Sequence, residues 1–542
     1  MSRTSGFADI IRALRLATAF ERDGVSTTEG LERLAAARAG RAQQGPSRRD
    51  VLKGFGVATA AGIVGSTVSA TAAKPTASVG IVGAGLAGLS AADTLAGAGI
   101  AASVYEGRDR IGGRQWSMGG SFAGPVIFPG QVVERGGELI DTTHTTMKGY
   151  AKQFGLKLED VTKAWLPGEV TYYFGGRHVT EAEVVDDFRA LVDALRPTLS
   201  SLSNYVAYNS YSAFDLATDQ KSLLQLLQEV GASPLLTRVL ETVYTIEYGR
   251  EIEYQSCLGL LFFMHIDKRS RFQPFGVFSD ERYHVLGGNE QIAQGIAARL
   301  PRPVQLGMCL LDVRKRTDGR IQLTFDRSGT SVVAVHDAVI LTLPYSTLRH
   351  VNLHPSVGVP AWQQQIIQQF DYGMNAKLTV GFTRRIWGEY NSEGSSYSDL
   401  PNHQSTWEPN PSNATVGNAV LLDYSAGERG RRLDPTRVQA EAQAWLTDLD
   451  TVWPGAAAAA KRTQGNKLLA HLQHWPSDPF SLGSYTSNPP GYFTRWEGRV
   501  GLPVGNVFFG GEHTDSFYEW QGFMEGACNS GIRAAGDLLD SL

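Results

Sequence analysis

The stretch Ala77–Arg114 constrains the fold more than any other part of the chain. A short apolar run, Val79–Val82, leads into Gly83–Gly88, which reads GAGLAG, and an Ala- and Leu-rich pattern typical of a helix follows. A second run of strand character ends at Glu106. This order of strand, glycine turn, helix, strand and acid predicts a dinucleotide site, because a helix N-terminus offers N–H groups and a partial positive charge to a pyrophosphate.

Each glycine of the motif has its own expected role. Gly83 makes the tight turn, Gly85 lets the backbone approach the phosphates, and Gly88 lets helix and strand pack closely. Glu106 is placed to accept hydrogen bonds from a ribose. The stretch alone does not separate NAD from FAD, and a structural glycine turn without a nucleotide is the alternative interpretation.

Composition narrows the class of protein. With 542 residues, 42% of them hydrophobic and 19% charged, the chain is long enough for more than one core, and we expect two domains. The formal net charge of -4 creates no basic field for nucleic acid. Cys257, Cys309 and Cys528 fit neither a metal site nor a disulfide framework, so we expect reduced buried thiols and no metal. We also expect no membrane span.

The first 73 residues have sequence patterns that differ from those of the rest of the chain. Residues 1–46 have the apolar spacing of two short helices, with a capping-box candidate at Ser26-x-x-Glu29. Residues 47–73 begin with SRRDVLK, continue as a weakly apolar run and resemble a twin-arginine export signal. We expect export to the periplasm or the medium by the twin-arginine pathway, and an uncleaved internal helix in a cytoplasmic protein is the alternative.

Two further glycine-rich blocks favour a ligand site. Within Glu134–Asp141, the adjacent Gly136 and Gly137 let backbone lie against a flat ligand. Near the end of the chain, the strand pattern Asn506–Phe509 leads into a glycine turn, and an amphipathic helix follows over Met524–Leu539. The chain therefore ends as it began, with a second helix N-terminus directed at a ligand.

With these blocks in place, the sequence resembles the FAD-dependent amine oxidase family, which includes monoamine oxidases, polyamine oxidases and L-amino acid oxidases. The resemblance covers Lys74–Leu542. The opening fingerprint is common among flavoproteins, whereas its combination with the later blocks is specific. The matching blocks are GAGLAGLSAA, Glu106, RIGGR ending at Arg114, Glu134–Asp141, LTLP at 341–344, and the closing GGEHT and WQGFMEGA.

Pattern and resemblance together predict an α/β fold with a Rossmann-like FAD-binding domain, discontinuous in sequence, and an α+β substrate-binding domain with an inserted helical region. Residues 156–255 show mostly helical patterns without a chemical motif and form that region. The expected segments are 1–46 as a helical extension, 47–73 as the signal, 74–150, 281–350 and 481–542 as the FAD-binding domain, and 151–280 and 351–480 as the substrate-binding and helical domain.

The cofactor implied by the resemblance is FAD. It is expected to bind noncovalently, because Ser484 stands where animal monoamine oxidases carry the cysteine that tethers the flavin. The family's FAD contacts fall on Gly83, Gly85, Leu86 and Ala87 at the pyrophosphate, Glu106 at the adenosine ribose, Gly113 and Arg114 at the phosphates, Gly137, Glu138 and Leu139 at the isoalloxazine, Leu310 at the adenine, Glu512 at the ribityl or ribose hydroxyls, and Met524 at the flavin C2 carbonyl.

The chemistry implied by the resemblance is oxidation of the C–N bond of a primary amine or L-amino acid by hydride transfer to flavin N5. The imine then hydrolyses to a carbonyl product and ammonia, and dioxygen is reduced to hydrogen peroxide. Lys377 matches the family lysine that holds a water near N5. Tyr485 and Phe523, with Trp520 beside them, match the aromatic cage that desolvates the substrate amine.

The substrate stays open between two classes. Leu139 stands where L-amino acid oxidases of the snake-venom type place the arginine for the substrate carboxylate, although Arg250 or Arg271 could supply that charge from elsewhere. The expected partners are a small amine or amino acid and dioxygen, and a homodimer is left open. The alternatives are a flavin-dependent dehydrogenase or desaturase acting on C–C bonds, a secreted FAD-binding protein without turnover, and an NAD-dependent dehydrogenase.

Overall fold

A computed structural model describes residues 13–14, 16–21, 24–33, 77–265, 280–413, 418–515 and 520–542. The twin-arginine signal predicted at 47–73 lies outside the described residues, and so does Arg271. Of the helix pair predicted over 1–46, the structure describes helical residues at 13–14, 16–21 and 27–33. There the Glu29 backbone N–H donates to the Ser26 hydroxyl at 3.3 Å, as the capping-box pattern predicts.

The strands of the described chain are numbered here in sequence order. They are β1 Val79–Val82, β2 Ser103–Tyr105, β3 Ser117–Gly119, β4 Val132–Glu134, β5 Leu158–Asp160, β6 Glu169–Phe174, β7 Arg177–Val179, β8 Tyr283–Val285, β9 Cys309–Lys315, β10 Ile321–Arg327, β11 Thr330–His336, β12 Ala338–Leu341, β13 Asn352–Leu353, β14 Ala376–Phe382, β15 Ser392–Leu400, β16 His403–Trp407, β17 Ala419–Ser425, β18 Ala470–His474 and β19 Val507–Phe509.

The α-helices from residue 77 onward are numbered in the same way. They are α1 Leu86–Gly97, α2 Thr145–Gln153, α3 Glu181–Ser201, α4 Ala213–Asp219, α5 Leu223–Glu229, α6 Pro234–Tyr248, α7 Leu258–His265, α8 Glu290–Arg299, α9 Tyr345–Leu348, α10 Ala361–Gln369, α11 Gly427–Arg432, α12 Val438–Val452, α13 Ala456–Ala459, α14 Tyr492–Arg495 and α15 Met524–Ser541.

The opening stretch forms the centre of a four-stranded parallel sheet with the order β19-β12-β1-β2. Every residue of β1, β12 and β19 is buried, as expected for a parallel sheet covered on both faces. Gly83 turns the chain with a φ of +104°, and a Cβ on Gly88 would overlap the Gly83 carbonyl oxygen. The tight turn predicted at Gly83 and the close packing predicted at Gly88 are therefore confirmed.

A second, seven-stranded sheet has the order β18-β14-β17-β16-β15-β6-β7. Helix α12 covers one side, where Trp387, Trp445 and Trp453 are fully buried. Helix α6 packs against β15, β16 and β6. This sheet is the scaffold of the second domain, and its strand β14 carries Lys377.

The helical region predicted over 156–255 contains helices α3 to α6, and each begins where a capping residue predicts. Thr180, Ser212 and Ser222 form capping boxes, and Ser233 caps α6. The start of the region is different from the prediction, because residues 158–179 form β5, β6 and β7. Strands β6 and β7 are short and complete an edge of the seven-stranded sheet, so their partners decide their conformation.

None of the helices in the described part of the chain is both long and apolar enough to cross a bilayer. Within the same residues, no group of three or more His, Cys, Asp or Glu side chains is placed to hold a metal ion. The three cysteines are unbridged, with Cys257 and Cys528 buried and Cys309 partly exposed.

The first and last helices, α1 and α15, cross in close contact. A Cβ on Gly531 of α15 would overlap the backbone carbonyl oxygen of Ala87 in α1. Gly536 lies one and a half turns further along the same helix, and a Cβ there would meet no atom within 4 Å. The helix therefore offers one glycine that the packing requires and one that it does not.

We predict that Gly531→Ala lowers the melting temperature, because the added methyl group forces α1 and α15 apart at a cost of about 1–3 kcal/mol. Gly536→Ala is the matched control and is expected to be neutral or more stable by about 0.5–1 kcal/mol, since alanine favours a helix over glycine. Thermal unfolding followed by circular dichroism measures both. Equal melting temperatures for the two variants would show that the crossing is not tightly packed.

Candidate active site

A cavity of about 390 Å³ begins at the glycine turn after β1 and reaches the start of α15. Its lining comes from parts of the chain that are far apart in sequence, including the ends of β1, β2 and β12. Most of the predicted cofactor residues lie in this lining: Gly83, Gly85, Leu86, Ala87, Glu106, Gly113, Arg114, Gly137, Leu310, Glu512 and Met524.

The wall near β1 is made of two glycine segments that touch. Gly85 and Gly112 pair as an isolated bridge, and the Gly112 N–H donates to the Ala84 carbonyl at 2.8 Å. The Arg110 guanidinium holds the second segment by donating to the Gly113 carbonyl at 2.8 Å. A Cβ on Gly85 would approach only Gly113 within 4 Å, at 3.9 Å, so the space above this turn is open.

Glu106 lies at the end of β2 and is buried. Its Oε2 accepts from the Ala84 N–H at 2.7 Å, and its Oε1 accepts from the Arg108 N–H at 2.9 Å. These two bonds fix the carboxylate, and each oxygen keeps a second acceptor position. The side chain can therefore accept two hydroxyl donors from a ligand in the cavity that it lines.

Arg114 joins the early and late parts of the chain. Its Nη1 donates to Glu512 Oε1 at 2.9 Å and to the Ser484 carbonyl at 2.6 Å. The other oxygen of Glu512 accepts from the Thr486 hydroxyl at 2.7 Å. This network places three predicted site positions, Arg114, Glu512 and Ser484, around one point of the cavity wall.

The adjacent glycines Gly136 and Gly137 have a packing role in addition to the predicted one. A Cβ on Gly136 would overlap the Arg114 carbonyl oxygen, and a Cβ on Gly137 would lie 2.8 Å from the side chain of Met524. The Arg114 backbone therefore requires Gly136 even before a flat ligand is considered, whereas a Cβ on Gly137 would displace the flexible Met524 side chain. Their packing brings the segment against the first residue of α15.

A smaller cavity of about 90 Å³ adjoins the large one. The two share several lining residues, namely Arg114, Gly137, Ser484, Tyr485, Gly522, Phe523 and Met524. The smaller cavity contains the predicted residues Glu138, Leu139 and Lys377 as well. Residues that sequence reasoning missed complete its lining: Asp141, Glu281, Trp407, Tyr424 and Trp475.

Trp520 lines neither of these two cavities. Its ring packs edge-on against His144, with ring centroids 4.5 Å apart, and against Phe523 at 5.9 Å. Burial lowers the pKa of His144 to about 3, so this imidazole is neutral. Trp520 therefore contacts the ring of Phe523, and its part in binding the substrate stays a prediction.

Tyrosines form one polar side of the smaller cavity. The Tyr424 hydroxyl donates to the Tyr485 hydroxyl at 3.2 Å, and Tyr485 donates to the Ile246 carbonyl at 3.1 Å. Tyr424 lies directly opposite Lys377 in the register of β14 and β17. No motif marks Tyr424 or Trp407, and only the pairing of β14, β17 and β16 brings them to the site.

Of the two arginines proposed for a substrate carboxylate, Arg250 lies within the described residues. Its Nε is 3.2 Å from Asp371 Oδ2, and the side chain lines neither cavity. Leu139 does line the smaller cavity. The arginine of the smaller cavity's lining is Arg114, which is paired with Glu512.

Glu134 is a buried carboxyl behind the Gly136–Gly137 segment. It accepts from the Asn289 N–H at 2.7 Å and from the Ser117 hydroxyl at 2.8 Å. Burial raises its pKa to about 7, and the negative charge of Glu138 contributes in the same direction. The group is therefore partly protonated near neutral pH.

The parallel sheet, the glycine turn and the separate seven-stranded sheet define the class: a Rossmann-like α/β protein with a second, substrate-binding type of domain. A profile described as flavin containing amine oxidoreductase matches residues 86–539, and the chain belongs to that family. The family makes it an enzyme, a flavin-containing oxidoreductase of the amine oxidase type. The family and fold class predicted from the sequence are confirmed.

Relatives and solved structures cover most of the chain. The L-amino-acid oxidase of Pseudechis australis is 22% identical over 479 residues, which are 84% of this chain and 86% of the relative. That of Crotalus adamanteus is 23% identical over 493 residues, with 84% and 86% covered. Cyclohexylamine oxidase from Brevibacterium oxydans IH-35A has a TM-score of 0.69 at 21% identity, covering 86% of this chain and 99% of its own. Putrescine oxidase bound to putrescine has a TM-score of 0.68 with the same identity and coverage. The two structures show the shared fold.

We predict that Glu134→Gln reduces the pH dependence of thermal stability. The Glu134 carboxyl has its pKa raised from 4.5 to about 7, so between these values the folded protein holds a proton that the unfolded chain releases. Its stabilising contribution is present below the unfolded pKa and is lost as pH rises through about 7. As pH rises from about 5 to about 8, the melting temperature of the wild type should fall relative to that of the variant. A constant difference across this range would contradict the raised pKa.

Proposed function

We propose that the chain is an FAD-dependent oxidase that oxidises the C–N bond of a primary amine or L-amino acid. FAD, when bound, accepts a hydride equivalent at N5 from the carbon bearing the amine and passes the electrons to dioxygen, which is released as hydrogen peroxide. The resulting imine hydrolyses to a carbonyl product and ammonia. The observation that carries this proposal is the junction of the two cavities, where Arg114, Gly137, Tyr485, Phe523 and Met524 line both.

The lining of the large cavity supports a dinucleotide along its length. Glu106 and Leu310 lie in its lining on the side of β2 and β9, where the adenosine is proposed. The glycine turn at Gly85 is open for the pyrophosphate. Helix α15 begins at Met524, and its N-terminus would stabilise negative charge on a reduced flavin.

The proposed attachment of FAD is noncovalent. Ser484 lines both cavities, and its hydroxyl donates to Asn375 Oδ1 at 2.5 Å. A serine has no sulfur and therefore cannot form the thioether that a cysteine forms. The cysteine in the large cavity's lining is Cys309, which neighbours Leu310 at the proposed adenine end.

Lys377 is the proposed catalytic residue. Lys377 lines the smaller cavity, and its Nζ donates to Glu138 Oε2 at 2.6 Å and to the Gly136 carbonyl at 2.8 Å. The third contact, to the Glu134 carbonyl, is 3.4 Å long and weak. A water near the flavin could replace this contact and so be oriented by Lys377.

Aromatic rings form the proposed substrate cage. Tyr485 and Phe523 line both cavities, and Trp407 and Tyr424, whose rings meet edge-on at 5.3 Å, extend the wall. Such a wall excludes water and lowers the pKa of a bound ammonium, so the substrate amine would react in its neutral form.

The described lining favours an amine without a carboxylate. Leu139 supplies no charge, and two acidic residues, Asp141 and Glu281, belong to the lining of the smaller cavity. The cations in the same lining, Lys377 and Arg114, are each paired with a glutamate. The similarity to proteins named L-amino-acid oxidases supports amino acids instead, so both classes belong in the substrate test.

Export by the twin-arginine pathway is also proposed. Its support is the SRRDVLK motif that begins at Ser47. The proposal agrees with a cofactor that must be loaded before export, because this pathway carries folded proteins.

The proposed function predicts a yellow protein whose visible flavin absorption is bleached anaerobically by at least one amine or L-amino acid. Acid precipitation should release the flavin into the supernatant as FAD, since no covalent bond holds it. Hydrogen peroxide should form in proportion to substrate consumed once air is admitted. Purified protein without flavin, or flavin that no member of a broad panel bleaches, would overturn the proposal. Bleaching of the flavin by a substrate that contains no nitrogen would favour the desaturase alternative.

A pair of substitutions at Tyr485 tests the cage. We predict that Tyr485→Leu lowers the rate of flavin reduction by substrate by about tenfold or more, because the ring that desolvates the amine is lost. Tyr485→Phe keeps the ring and removes only the hydrogen bonds to Tyr424 and Ile246, so its rate should stay close to that of the wild type. Stopped-flow absorption measures both rates. Loss of FAD from the leucine variant would mean that the position is structural.

A further inference from the structure

One short segment of chain holds the Lys377 side chain. The ammonium has three N–H donors, and all three are directed at acceptors within Glu134–Glu138. The closest acceptor is Glu138 Oε2, at 2.6 Å, and both charged side chains are only 6% exposed. The ion pair is therefore fixed in place and weakly screened by solvent.

The carboxylate of Glu138 is held from the other side as well. Its Oε1 accepts from the indole N–H of Trp407 at 2.8 Å. Lys377 and Trp407 come from β14 and β16 of the seven-stranded sheet, whereas Glu138 follows the Gly136–Gly137 segment of the other domain. Both Glu138 oxygens are thus engaged, and the carboxylate cannot turn away from the ammonium without losing a buried hydrogen bond.

We propose that Glu138 is a positioning residue that sets the charge at the flavin end of the site. It neutralises Lys377 and holds the ammonium against the Gly136 carbonyl. A cofactor that lies along Gly137 therefore meets a neutral ion pair in place of an uncompensated cation. This inference rests on the proposed function, because it requires FAD in the large cavity.

The physical consequence is a limit on how strongly the protein stabilises negative charge on the cofactor. A buried unit charge about 10 Å away, at an effective dielectric constant of about 20, changes an equilibrium that creates an anion by about tenfold. The N-terminus of α15 already favours that anion. The Glu138 carboxylate compensates the Lys377 charge, so that charge does not stabilise the anion further.

Sulfite provides a probe that does not depend on turnover. It adds to N5 of an oxidised flavin and leaves negative charge on the ring, so its dissociation constant from the holoenzyme reports the local charge. We predict that Glu138→Gln binds sulfite about tenfold more tightly than the wild type, because the lysine cation loses its partner. Glu138→Gln combined with Lys377→Met should return the affinity to within about twofold of the wild type, since both charges are then removed.

Two more variants complete the test. Glu138→Asp keeps the negative charge and should keep sulfite affinity near the wild-type value. Glu408→Gln is the matched control, because it removes a buried carboxylate that pairs with Arg385 at 2.7 Å and lines neither cavity. If Glu138→Gln does not accumulate as holoenzyme, Glu138→Ala makes the same prediction and leaves space for water.

Sulfite affinity within about twofold of the wild type in both Glu138→Gln and Glu138→Ala, each loaded with FAD, would overturn the inference. So would tighter binding that persists after Lys377→Met is added. The outcome is separable from that of the proposed function. A wild-type holoenzyme that no amine reduces contradicts the proposed reaction, whereas equal sulfite affinities in a protein that amines do reduce contradict only the role of Glu138.

Discussion

The close crossing of α1 and α15 is the contact on which the rest of the structure depends. Both helices follow strands of one parallel sheet, so their N-termini point to the same edge. They approach until Gly531 lies against the Ala87 carbonyl, a separation that a side chain would prevent. As a result, Leu86 and Met524, the first residues of the two helices, line one cavity although most of the chain lies between them.

Two ion pairs then set the geometry between distant segments. Arg114 and Glu512 join the two glycine-turn regions of the first domain, and Lys377 joins the second sheet to Glu138. Both pairs are largely buried, so breaking either one would leave a charge with little solvation. The two ion pairs fix which surfaces meet at the junction of the two cavities.

Many site positions could be predicted because they belong to local motifs. The conformations of Gly83 and Gly88 follow from the turn itself, and eleven predicted cofactor positions line the large cavity. Trp407 and Tyr424 could not be found in this way, because each is one aromatic residue on an ordinary strand. They reach the site through the register that sets Tyr424 opposite Lys377. Trp520 contacts the ring of Phe523 but does not line either cavity.

The sequence by itself determined the glycine turn, the acid after it, the second strand and helix at the end of the chain, and the family. These features depend on contacts between residues close in sequence, where backbone conformation and hydrogen bonding act directly. Only the tertiary structure decided that Gly136 lies against the Arg114 carbonyl, that Gly137 lies against the Met524 side chain, and that Lys377 is paired with Glu138. The contacts of Gly137 with Met524 and of Lys377 with Glu138 join segments hundreds of residues apart, and strand register and helix crossing, which no local pattern contains, bring them together.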